Sequence, residues 1–87
     1  MANDAKASMT ISDIPTETFH QIIRDLCSDG WKKTQEYDGI DAWIDYGMIV
    51  LRKRFTCLKF EWTNWEEGSI GGPSRVIQGI KDKYSLR

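Results

Sequence analysis

Two stretches of the chain repeat their apolar residues at helical spacing, and a region with strand-like alternation lies between them. In the first stretch, offsets of three, four, seven and eight describe one helical face: Phe19, Ile22, Ile23, Leu26 and Cys27. Pro15 suits the first turn of a helix. Gly30 stands where helices commonly end in a left-handed residue, and Trp31 beyond it can fold back on the last turn. The pattern predicts a helix over residues 15–29.

The second helical stretch begins at Pro73. Its apolar face is again at helical spacing and consists of Val76, Ile77, Ile80 and Tyr84. Gly79 lies inside this stretch and costs about 1 kcal/mol relative to alanine. The second helix is therefore expected to depend on packing for its stability.

Between the helices, the apolar residues alternate with the period of two that is typical of strands. Four strands are predicted, over residues 31–37, 40–45, 48–54 and 57–62. Asp38-Gly39 is a hairpin signal, because glycine adopts positive φ without steric strain. Asp45-Tyr46-Gly47 indicates a second turn, and residues 63–72 are assigned to a loop. Short turns between consecutive strands predict an antiparallel meander.

These elements predict an α+β fold in two layers, with the element order α-β-β-β-β-α. Each helix has a single apolar stripe, so both helices are expected to pack on one face of the four-stranded sheet. Residues 14–87 form the single domain of this prediction. Residues 1–13 precede it as a polar segment that is either disordered or a short edge strand at 9–12.

The alternation also separates two faces of the sheet. The face under the helices is predicted to carry Ile49, Leu51, Leu58, Phe60 and Trp62. The second face is predicted to carry Met48, Val50, Arg52, Cys57, Lys59 and Glu61, with Trp43 beside them if the register allows it. Three coverings of its apolar part stay open: the N-terminal segment or loop 63–72, a partner surface such as a second copy packed sheet to sheet, or a ligand.

Charge and composition narrow the function classes. The 87 residues include 12 Lys and Arg against 13 Asp and Glu, for a net charge of −1. That balance argues against a non-specific nucleic-acid binder and offers little repulsion against self-association. The two cysteines are too few for a disulfide scaffold. With no apolar run near the roughly 20 residues of a membrane span and no signal-like N-terminus, a cytoplasmic protein is expected.

Loop 63–72 holds the most unusual local sequence. Gly71-Gly72 precedes a helix N-terminus, where amide groups can hold an anion. Glu66 and Glu67 would repel a phosphate, and the P-loop lysine is missing. The favoured interpretation is a cap in which Trp65 and Ile70 fill one end of the core. The alternative is that Trp65 contacts a partner.

Arg52-Lys53-Arg54 and Lys59 combine basic groups with nearby rings, the chemistry by which some sheets bind single-stranded nucleic acid. Glu36 and Glu61 dilute the positive field, and no RNP-like run is present. The favoured interpretation is a solvated hairpin end whose charges discourage edge-to-edge pairing.

No pattern of a catalytic, metal or cofactor site emerges from the remaining residues. Asp38 and Asp41 lack the spacing and terminal glutamate of a calcium loop. His20 has no Cys or carboxylate at metal-ligand spacing on its helix, and nothing supports its pairing with Cys57 as a nucleophile. Neither enzymatic activity nor a cofactor nor a bound metal is expected.

The leading expectation is a small cytoplasmic protein–protein interaction module that works through a surface or sheet face, with a homodimer as its simplest form. The residues assigned to this surface are Trp43, Met48, Val50, Trp65, Glu66 and Glu67. The alternative is weak single-stranded nucleic-acid binding through Arg52, Lys53, Arg54 and Lys59.

Overall fold

A computed structural model describes residues 7–86 and shows an antiparallel sheet of five strands with two helices. The elements in chain order are β1 (Ser8–Ile14), α1 (Thr16–Ser28), β2 (Lys32–Glu36), β3 (Tyr46–Lys53), β4 (Thr56–Thr63), β5 (Glu67–Pro73) and α2 (Ser74–Lys83). Their order across the sheet is β1-β5-β4-β3-β2. The α+β prediction is confirmed. The sheet has one strand more than predicted, and the element order begins with a strand.

Two assignments within the sheet were wrong. Residues 40–45 form no strand; the segment turns on backbone hydrogen bonds from Ala42 to Gly39 (3.0 Å) and from Ile44 to Asp41 (3.0 Å). Residues 67–73, predicted as loop, form β5. Glycines hide the alternation of β5, and its tight packing requires them. A Cβ at Gly68 would lie 2.3 Å from the Phe19 ring.

The N-terminal edge strand is present and is longer than predicted. β1 pairs with β5 from Ser8 opposite Pro73 to Ile14 opposite Gly68. The register shifts between Ile11 and Ile14, and both isoleucines are buried, since the extra residue turns the second one back towards the core. The predicted disorder of the first residues falls mainly on residues 1–6, outside the part that the structure describes.

Both helices pack on the same face of the sheet, as predicted. The core lies between the two layers, and its fully buried members come from both helices and four strands: Ile14, Phe19, Ile22, Leu51, Leu58, Phe60, Ile70 and Ile77. Trp62 is half-buried on this side and donates from Nε1 to Thr16 Oγ1 at 3.0 Å. The face predicted from alternation in β3 and β4 is therefore the covered one.

The end of α1 follows the glycine signal. Gly30 has a φ of 104°, and its amide donates to Cys27 O, while the Trp31 amide donates to Leu26 O at 3.0 Å. This paired pattern is the Schellman motif, and it places Trp31 in the core with 9% exposure. Cys27 is exposed rather than buried, because it lies about 90° round the helix from the centre of the apolar stripe.

Within residues 7–86, neither helix has the length and apolar character of a membrane span.

Candidate interaction surface

The second face of the sheet is open in the described residues. The helices occupy the opposite face. The N-terminal segment or loop 63–72 was expected to cover the second face, but their described parts at residues 8–14 and 67–73 are strands β1 and β5 of the sheet itself. Met48 and Val50 lie on the second face halfway along β3, beside the edge strand β2, and are half-buried. Side chains of β4 flank them, with Lys59 opposite Val50 and Glu61 opposite Met48. We call this surface, which includes Met48 and Val50, the open face.

One end of the open face is basic. It lies at the β3–β4 turn, where Arg52 and Lys59 are exposed on the open face and Arg54 occupies the turn with a φ of 58°. Arg52 Nε donates to Arg54 O at 2.8 Å. Lys53 points to the other side and donates from Nζ to Asp29 O at 3.0 Å. The predicted basic group is thus divided, with Arg52 and Lys59 on one face and Lys53 on the other.

The opposite end is acidic. It is built from loop 37–45, the β4–β5 turn and the adjoining strand ends, and residues 34–51 and 60–74 contain no Lys or Arg. The acidic residues of this end are Asp38, Asp41, Asp45, Glu61, Glu66 and Glu67. Tyr46 donates to Glu61 Oε2 at 2.9 Å. Burial and the Glu61 carboxylate raise the pKa of Tyr46, so its hydroxyl stays a donor at neutral pH.

Large apolar side chains are exposed in the turns and loops at both ends of the sheet. Phe55 is 94% exposed at the basic turn, while Trp65 (75%) and Ile44 (65%) are exposed at the acidic end. A backbone hydrogen bond from Asn64 to Asp45 O (3.0 Å) joins the two segments that carry Ile44 and Trp65. The interpretation of Trp65 as a core cap was therefore wrong, although Ile70 is fully buried. Trp65 is a surface residue.

Trp43 lies on the side of the sheet that the helices cover. Its ring centroid is 5.4 Å from that of His20 and 6.3 Å from that of Trp62, and its Nε1 donates to Glu36 Oε2 at 3.3 Å. A Cβ at Gly47 would lie 2.2 Å from the Trp43 ring. The ring thus closes the acidic end of the core and does not extend the open face.

The sequence candidates for catalysis and metal binding do not converge. His20 belongs to α1 on the covered side, whereas Cys57 is exposed in the register of Arg52 on the open face. A depression of about 300 Å³ at the acidic end is lined by four carboxylates, Tyr46 and small residues, and no His, Cys, Lys or Arg of the described residues lines it. Among residues 7–86, no group of three or more His, Cys, Asp or Glu side chains is placed to hold a metal ion.

The structure adds three residues that the sequence did not single out for binding: Ile44, Tyr46 and Phe55. Ile44 and Tyr46 lay in a wrongly assigned strand and its turn, and Phe55 lay between two predicted strands, where an aromatic residue gives no periodic signal. The available signal was an apolar residue inside a two-residue turn, at Arg54-Phe55.

Comparisons of the chain with protein-family models, with curated proteins and with solved structures each find no match.

Proposed function

We propose that this protein is a small cytoplasmic interaction module that acts through its open face, and that its partner is a second copy of the chain. One observation carries the proposal: the open face has an apolar centre, Met48 and Val50, between a basic end and an acidic end. A surface that is positively charged at one end and negatively charged at the other is complementary to a second copy of itself that is rotated by 180°. Self-association therefore needs no other partner of matching charge.

The area of the open face fits a reversible dimer. Five strands about 4.8 Å apart and about seven residues long, at about 3.3 Å per residue, give a face of roughly 550 Å². Two such faces in contact bury roughly 1,100 Å², near the lower limit of specific protein–protein interfaces. We therefore expect a dimer that dissociates on dilution.

The chemistry of the chain supports this proposal in two further ways. The net charge of −1 leaves little long-range repulsion between copies. Cys27 and Cys57 are exposed and unpaired, as is usual in a reducing compartment, which favours the cytoplasm.

Sedimentation equilibrium tests the proposal. Val50→Lys places a charge at the apolar centre and is expected to weaken the dimer at least tenfold, because burial of an unpaired charge opposes association. Gln78→Lys is the matched control, since it adds the same charge at an exposed position of α2 and is expected to leave the association unchanged. Equal association of the wild type and Val50→Lys would contradict the proposal.

Single-stranded nucleic-acid binding is the second candidate function, and the exposure of Phe55 beside Arg52, Arg54 and Lys59 is the observation that favours it. A ring between basic groups can stack on a base while the charges contact phosphates. Fluorescence anisotropy with a labelled oligonucleotide at low salt tests this candidate. Binding that weakens with salt and is lost in Phe55→Ala would support it, and no binding at low salt would rule it out.

A further inference from the structure

We propose that the two copies meet face to face about a two-fold axis that runs across the strands. This inference rests on the proposed function and specifies its geometry. The axis lies on one row of the sheet, in which the register aligns Ile11, Ile70, Phe60, Ile49 and Glu36. About such an axis each strand reverses its direction, so the basic end of one copy lies over the acidic end of the other.

The side chains on the two sides of this row are complementary to each other. In a two-fold arrangement, residues at equal distances on either side of the axis face each other. Val50 and Met48 flank Ile49, so Val50 of one copy faces Met48 of the second copy. Lys59 and Glu61 flank Phe60 in the same way, so each Lys59 faces a Glu61. Lys59 Nζ also lies 3.9 Å from Glu61 Oε1 of its own chain, so the interface then holds two apolar pairs beside a network of four alternating charges.

Other positions of the axis lose this match. If the axis is moved by one residue along the strands, it passes through either Lys59 or Glu61. That residue then faces the same residue of the second copy. An axis parallel to the strands keeps their direction, and it sets Arg52 over the basic end of the second copy. Both arrangements oppose like charges, which costs association free energy. The charges of the open face therefore select the crossing axis and its level.

The same geometry accounts for the exposed apolar residues at the ends. The β3–β4 turn of one copy lies over the acidic end of the other, because both are about five residues from the axis. Phe55 then reaches the surface formed by Trp65 and Ile44, and Arg54 comes close to Asp45. Packed sheets cross at about 30°, and the acidic end spans both loop 37–45 and the β4–β5 turn, so it is wide enough to receive the turn.

Charge reversal on the open face tests the register. Lys59→Glu sets Glu against Glu61 of the second copy and is expected to raise the dimer dissociation constant roughly tenfold or more. Lys59→Glu combined with Glu61→Lys restores opposite charges across the interface, and is expected to recover wild-type association to within about threefold. Both changes are at partly or fully exposed positions, and circular dichroism confirms that the monomers fold.

Alanine variants test the ends. Phe55→Ala and Trp65→Ala are each expected to weaken the dimer roughly tenfold, since buried aromatic residues dominate interface energies. The double variant is expected to lose less association free energy than the sum of the two single losses, because the two rings face each other. Arg24→Ala is the control: Arg24 is exposed on α1, which packs on the opposite side of the sheet from the open face, and its loss is expected to leave association unchanged.

The outcomes separate the two proposals. A wild-type dimer that Val50→Lys disrupts, but that neither Lys59→Glu nor Trp65→Ala weakens, would overturn the register and leave the open face as the interface. A wild-type chain that stays monomeric at every concentration would overturn the proposed function and this inference with it. Restoration by the double charge reversal, together with losses in Phe55→Ala and Trp65→Ala, would support both.

Discussion

Replacing Trp31 and Trp65 separately by alanine should divide the tryptophans into core and surface residues. A tryptophan side chain offers roughly 200 Å² of surface. Trp31 is 9% exposed and Trp65 is 75% exposed, so they bury roughly 180 and 50 Å² respectively. At about 25 cal/mol per Å², Trp31→Ala should lower the free energy of unfolding by about 4 kcal/mol and Trp65→Ala by about 1 kcal/mol.

Urea denaturation followed by far-ultraviolet circular dichroism measures both changes, at a protein concentration low enough to keep the chain monomeric. A loss of about 4 kcal/mol also corresponds to a melting temperature lower by at least about 15 °C for a domain of this size. Equal losses in the two variants would refute the assignment of Trp65 to the surface. So would a Trp65→Ala loss above about 2.5 kcal/mol.

Two further predictions concern packing and ionisation. Gly68→Ala should destabilise the fold by about 1–3 kcal/mol, since its Cβ would lie 2.3 Å from the Phe19 ring. Gly79→Ala should instead stabilise α2 by up to about 1 kcal/mol, because nothing lies within 4 Å of its Cβ. Chemical denaturation measures the free energy of unfolding of both variants. Burial and the hydrogen bond to Asp25 raise the pKa of Tyr84 from 10.0 to about 12, so its stabilising contribution should be complete below pH 10 and lost as the pH rises through about 12. Tyr84→Phe should remove the tyrosinate absorbance step near pH 12, and a variant that retains this step would contradict the assignment.

The elements that could be predicted are those in which the spacing of apolar residues in the sequence matches the residues that are buried in the fold. The apolar stripe of Phe19 and Ile22 indicated α1, and the alternation from Ile49 to Phe60 indicated which face of β3 and β4 the helices cover. The Gly30-Trp31 pair gave the helix end, because few residues adopt positive φ there. These features depend on local pattern and on one packing layer.

The unpredicted part depends on contacts between distant segments. β5 contains Gly68, Gly71 and Gly72, so only Ile70 shows the apolar alternation of a strand. The close approach of Phe19 requires a glycine at position 68, and that of Leu58 requires one at position 72. The apolar residues Trp43 and Ile44 suggested a strand, but their segment turns back and places Trp43 on the core. In neither segment does the local pattern reveal the tertiary contact that decides its conformation.

The same distinction applies to the candidate interaction surface. Met48 and Val50 were placed on the second face by alternation, and the structure puts them there, halfway along β3. The separation of charge into two ends could not be predicted, because it depends on which loops share an end of the sheet. Asp45 and Asn64 are far apart in the chain and are joined by one backbone hydrogen bond. Only the folded register shows that basic and acidic side chains lie at opposite ends of the open face.

The molecular mass of the wild-type chain, measured by light scattering as a function of concentration, tests the central claim most directly. If the open face binds a second copy, the mass should rise from the 10.1 kDa of one chain towards twice that value as the concentration increases. High salt should shift this rise to higher concentration, because it screens the ion pairs between the two ends. A mass that stays at 10.1 kDa at every concentration and at low salt would contradict the account.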